Sequence, residues 1–108
     1  MNHYRPKILA FAGSLRKESV NKKLIRIAAQ GAKDAGADVT LIELEDFPMP
    51  IYNGDVEDAE GLPKEAQRLK KLMMEHQGFL ISAPEYNSSI SAALKNAIDW
   101  VSRPVPNE

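Results

Sequence analysis

Ile8-Leu9-Ala10-Phe11-Ala12 is an unbroken apolar run that ends abruptly at Gly13-Ser14, and the fold turns on how it is read. A strand with one face in water alternates apolar and polar residues, whereas a strand covered on both faces does not need to. The run therefore reads as a central strand of a parallel sheet, stopped by a turn glycine. Working outward, Ser19 to about Ala35 places Val20, Leu24, Ile27, Ala28 and Gly31 at helical spacing, with Lys22, Lys23, Arg26, Lys33 and Asp34 on the other side. Gly36 supplies a stop, and Val39 to Leu44 reads as a second strand.

Farther along, Phe47 to Leu62 carries Pro48, Pro50, Gly54 and Gly61 among acidic residues, which predicts a surface loop. Its acidic run from Asp55 to Glu60 lacks the ligand register of a calcium loop and is read as solvated. Pro63 at a first helical position opens a second helix through His76, with Ala66, Leu69, Leu72 and Met73 on one face. Phe79-Leu80-Ile81 gives a third strand, and Ser91 to Ser102 a third helix with Leu94, Ala97, Ile98 and Val101 at helical spacing. Strand and helix alternate, so the class is α/β, with right-handed crossovers, a parallel sheet and helices on both faces.

Composition bounds the function. A chain of 108 residues, 44% hydrophobic and 27% charged, is one globular domain and not a disordered segment. Its 14 basic and 15 acidic side chains leave a net charge of -1, without the positive field that nucleic-acid binding requires. The absence of cysteine excludes disulfides, thiolate metal sites and cysteine nucleophiles, and leaves the cytoplasm as the default compartment. No apolar stretch approaches the roughly 20 residues of a membrane span, and the first residues do not read as a signal peptide. His3 and His76 have no partner spacing for a metal and are read as solvated, while Met73, Met74 and Met49 are read as packing residues.

Chemistry is expected outside the carboxyl ends of the strands, where ligands bind in open parallel sheets. After the first strand, Gly13-Ser14-Leu15-Arg16-Lys17-Glu18-Ser19-Val20-Asn21 combines a turn glycine, hydroxyls, an amide, a guanidinium and a helix start. Such a set suits a phosphate, which takes several short donors and the positive end of a helix. It matches neither the dinucleotide glycine fingerprint nor the triphosphate P-loop, which points to a single phosphomonoester. A well-capped loop with a surface arginine is the plainer alternative. The second segment, Pro84-Glu85-Tyr86-Asn87-Ser88-Ser89-Ile90-Ser91, offers a carboxylate, a carboxamide and an aromatic ring for a planar heterocycle. It also reads as a polar connection with Ser91 as helix N-cap.

Three blocks, Gly13-Ser14-Leu15-Arg16 with Ser19 and Asn21, Pro84-Glu85-Tyr86-Asn87, and Leu94-Lys95-Asn96-Ala97-Ile98-Asp99-Trp100, resemble the NADPH-dependent FMN reductase family in order and spacing. That family is flavodoxin-like and includes bacterial quinone, chromate and azo-dye reductases. The resemblance implies that Ser14, Arg16, Ser19 and Asn21 hold the FMN phosphate. It implies that Pro84, Glu85, Tyr86 and Asn87 border the isoalloxazine ring, mostly through backbone groups. Hydride would pass from NADPH to the flavin and on to a quinone or similar small-molecule acceptor, with no side chain as proton-transfer catalyst and no metal. The Leu94–Trp100 block would pack the third helix, with Trp100 near core or subunit contacts.

Family members usually carry proline where Ser91 stands, and serine can cap the helix in its place. They also continue beyond Glu108, so the expectation is a sheet with strands 2-1-3 present and the C-terminal strands absent, in one FMN-binding domain over residues 1–108. The third strand would then be an edge, and apolar surface left bare would favour a homo-oligomer. A non-catalytic FMN- or phosphate-binding module is the alternative to a working reductase.

Overall fold

A computed structural model of the chain describes residues 4–14, 20–83 and 91–104. The elements run β1 (Lys7–Ala12), α1 (Val20–Asp34), β2 (Asp38–Leu41), α2 (Gly54–Glu60), α3 (Lys64–Met74), β3 (Gly78–Ser82) and α4 (Ala92–Val101). The strands form one parallel sheet in the order β2-β1-β3, as expected. β1 is central, and its unbroken apolar run is explained by burial on both faces. Leu9 and Phe11 join Leu69 of α3 and Leu94 and Ala97 of α4, while Ala10 and Ala12 join Ile25 and Ala29 of α1. Leu9, Ala10 and Phe11 are fully buried.

The structure turns α1 the other way from the expected face. Ile25 and Ala29 are buried, together with Lys22, whereas Val20, Leu24 and Ile27 are exposed. Ala10 and Ala12 present a shallow surface to α1, which Ile25 and Ala29 fill at close approach. Lys22 is drawn inward because its ammonium lies 3.2 Å from Glu43 Oε2 and 3.5 Å from Glu45 Oε1. The buried face is thus the one that faces Ala10 and Ala12 and carries Lys22 to the carboxylates after β2.

Two further boundaries differ from expectation for local reasons. β2 stops at Leu41, and after Ile42 N donates to Ala10 O at 3.0 Å the chain leaves the sheet. Leu44 then opens a short 3-10 turn, Leu44–Asp46, and is buried with Phe47 against the α3–α4 side. The guanidinium of Arg68 lies 4.3 Å above the Phe47 ring. The stretch expected as a loop holds α2, because residues that break structure inside an element here sit at its ends. Asn53 caps it, accepting from Asp55 N at 2.8 Å, and acidic Asp55 and Glu57 lie in its positively polarised first turn. Gly61 closes it at φ 76° and ψ -163°, a region that is essentially reserved for glycine.

Pro63 is the N-cap of α3 and not its first helical residue. His76 is half-buried and not solvated, with Nδ1 2.6 Å from Leu72 O in the last turn of α3. Its Nε2 is buried without a hydrogen-bond partner. Trp100 is fully buried, with its Nε1 donating to Pro50 O at 2.7 Å and Tyr52 edge-on at 4.9 Å. β3 pairs with β1 alone among the described strands, and Phe79 and Ile81 of β3 and Ile98 of α4 are exposed. No described helix is long and apolar enough to cross a membrane.

Candidate functional site

Parallel register sets the site. Ala12 of β1 pairs with Ser82 of β3, and Gly13 N donates to Ser82 O at 2.7 Å, so the two strands end side by side. The chain turns to β2 on one side of β1 and to β3 on the other, which makes this gap the point where strand order reverses. The segments singled out in the sequence leave the sheet from these two adjacent ends.

Of the expected site residues, Ser14 and Asn21 are described, whereas Arg16, Ser19, Pro84, Glu85, Tyr86 and Asn87 lie outside the described residues. Ser14 is buried just past β1. Asn21 is the second residue of α1, and its Oδ1 accepts from Ser82 Oγ at 2.7 Å. The first turns of α1 and α4 contain no acidic residue, unlike those of α2 and α3, which carry Asp55 and Glu57 and Glu65 respectively. The first turns of the two helices that follow the segments thus place no carboxylate of their own at the positive helix end.

Ser91 is the N-cap of α4, as expected, and does more. Its Oγ accepts from Leu94 N at 3.2 Å and donates to Gly13 O. Gly13 also lies against the helix: an added Cβ would stand 3.1 Å from Leu94 Cβ and Cδ2 and 3.2 Å from Ala83 Cβ. Gly13→Ala should therefore push α4 off the strand ends and cost about 1 to 3 kcal/mol as overpacking, read from the urea midpoint. An unchanged midpoint would show that this contact has slack.

Sequence reasoning assigned the Leu94–Trp100 block to packing, and the structure adds a specific task. Asn96 Nδ2 donates to Pro50 O at 2.9 Å and its Oδ1 accepts from Tyr52 N at 2.7 Å. Asn96 and Trp100 together pin residues 50–52 to α4. A cavity of about 280 Å³ lies between Leu44–Met49 and Ala93, Asn96 and Ala97, with Met49 in its wall. Its lining includes neither Ser14 nor Asn21.

The resolved pKa shifts fall at the far end of α4, opposite Ser91. There a hydrogen bond from Arg103 holds the Glu57 carboxyl below its usual range, and Tyr52 is raised by its hydrogen bond to Glu57. Tyr52 OH donates to Glu57 Oε1 at 3.0 Å and Arg103 Nε to Glu57 Oε2 at 2.9 Å, a clasp between α2 and α4. No group of three or more potential metal ligands occurs among the described residues.

A parallel sheet in the order 2-1-3, with candidate ligand segments at the reversal point, defines a flavodoxin-like α/β protein. The chain belongs to the NADPH-dependent FMN reductase family, whose model matches residues 6–108. It is 40% identical over 101 residues to an NAD(P)H:quinone oxidoreductase of Solanum tuberosum, covering 94% of this chain and 52% of that protein. It is 36% identical over 96 residues to the quinone reductase of Escherichia coli K12, covering 89% of this chain and 50% of that one. The flavoenzyme NAD(P)H:(acceptor) oxidoreductase of Paracoccus denitrificans superposes with a TM-score of 0.73 at 33% identity, over 92% of this chain and 52% of that one. The chain spans about half the length of these relatives.

Proposed function

We propose that residues 1–108 form the flavin-binding part of an FMN-dependent NAD(P)H oxidoreductase that passes electrons to a quinone or similar small-molecule acceptor. The observation that carries this reading is the side-by-side ending of β1 and β3 at the reversal point. Both family-matched segments start there. The names of the quinone-reducing relatives supply the acceptor class.

In this reading Ser14, Arg16, Ser19 and Asn21 bind the phosphate, with the start of α1 adding its positive end. Pro84, Glu85, Tyr86 and Asn87, which lie in the sequence between β3 and the cap of α4, would border the ring, as the family resemblance implies. When bound, the flavin supplies hydride acceptance and onward electron transfer, so the chain's residues need only bind and orient it. The chain's lack of cysteine agrees with a cytoplasmic setting, and the bare apolar residues beside β3 with a homo-oligomer.

An FMN titration followed by flavin fluorescence tests this. Saturable quenching is expected, and Arg16→Ala should weaken it about 10- to 100-fold, the worth of a charge-assisted hydrogen bond. Equal affinity in the variant would remove Arg16 from the phosphate site. Anaerobic bleaching of the bound flavin by NADPH is expected of a reductase, and binding without bleaching would leave a flavin-binding module.

A further inference from the structure

We infer that Ser82 and Ser91 are positioning residues that cross-tie the described ends of the two ligand segments. The first segment runs from Gly13 to Asn21, and the second runs from Pro84, after Ser82-Ala83, to Ser91. Ser82 Oγ donates to Asn21 Oδ1 at 2.7 Å and so joins the start of the second segment to the end of the first. Ser91 Oγ donates to Gly13 O and joins the end of the second to the start of the first. Each tie therefore crosses between segments, and together they hold all four ends.

Local structure accounts for only part of what these two hydroxyls do. Ser82 already has its carbonyl engaged by Gly13 N, and its side chain is buried. A buried hydroxyl is costly unless bonded, so its presence marks the bond to Asn21 as its use. Capping α4 needs Ser91 only as an acceptor for Leu94 N, yet its hydrogen is also spent, on Gly13 O. Backbone pairing cannot supply these ties, because β1 and β3 end at Ala12 and Ser82 while the segments continue beyond them. Asn21 accordingly serves the phosphate region partly through the hold that Ser82 has on it.

The ligand in this inference rests on the flavin reading above, whereas the ties themselves do not. Two readouts keep the two apart: FMN affinity by fluorescence titration, and amide hydrogen exchange of the ligand-free chain. Ser82→Ala and Ser91→Ala are each expected to weaken FMN binding about tenfold, the upper worth of one neutral hydrogen bond, and Ser82→Thr, which keeps the hydroxyl, should restore it. In ligand-free Ser82→Ala, exchange should quicken at Leu24 and Ile25 in α1, on the far side of the tie. Wild-type affinity in both alanine variants, or no rescue by threonine, would overturn the positioning role. If the wild-type chain binds no FMN, the flavin reading fails for this chain and exchange alone decides: unchanged rates at Leu24 and Ile25 overturn the tie, and faster rates uphold it.

Discussion

Trp100→Ala is expected to cost about 3 to 5 kcal/mol, a large share of the stability of a domain this size. The indole is fully buried, packed with Leu62 and Ala66, and edge-on to Tyr52 at an interplanar angle of 79°. Its hydrogen bond is the smaller part of the loss, because Pro50 O keeps the bond from Asn96 Nδ2 at 2.9 Å. What alanine leaves is a cavity between α4 and the segment that leads from α2 into α3, walls that cannot both close on α4. Trp100→Phe, which keeps most of the volume, should lose roughly 1 to 2 kcal/mol. Urea midpoints of the two variants check this. Equal losses would shift the weight to the hydrogen bond, and no loss from alanine would remove Trp100 from the core.

The central strand was legible because a run buried on both faces needs no cooperation from distant residues to be recognised. Parallel pairing then followed from the alternation of elements, and with it the side-by-side ends of β1 and β3. The face of α1 was not legible. Its apolar periodicity favours Val20, Leu24 and Ile27, and the buried face is selected by partners outside the helix, Ala10 and Ala12 below it and Glu43 and Glu45 beside it. α2 was not legible because Pro48, Pro50, Gly54 and Gly61 read as loop breakers, whereas Gly54 opens the helix and Asn53 and Gly61 cap it. The motif residues of the site were visible as a resemblance, but the ties between segments were not. Ser82 and Asn21 stand 61 residues apart, and Ser91 and Gly13 stand 78 apart, distances over which one sequence carries no pairing signal.

Lys22 carries a prediction whose sign separates two accounts of a buried charge. Its side chain is only 3% exposed, and its ammonium faces the carboxylates of Glu43 and Glu45, each 39% exposed. Water reaches the acids, so they lose little if the lysine is removed. The lysine, by contrast, depends on them entirely. Lys22→Met should therefore change the urea midpoint by less than about 1 kcal/mol, since an apolar chain of similar length refills the site. Glu43→Ala with Glu45→Ala should cost about 3 kcal/mol by stranding a cation, and adding Lys22→Met to that pair should recover most of it. If the methionine variant alone loses as much as the double alanine, the ion pairs contribute net stability and the compensation account fails. The outcome bears on the site because Lys22 follows Asn21 in the first turn of α1. A stranded ammonium would leave its position by unwinding that turn, and the end of the first ligand segment would move with it.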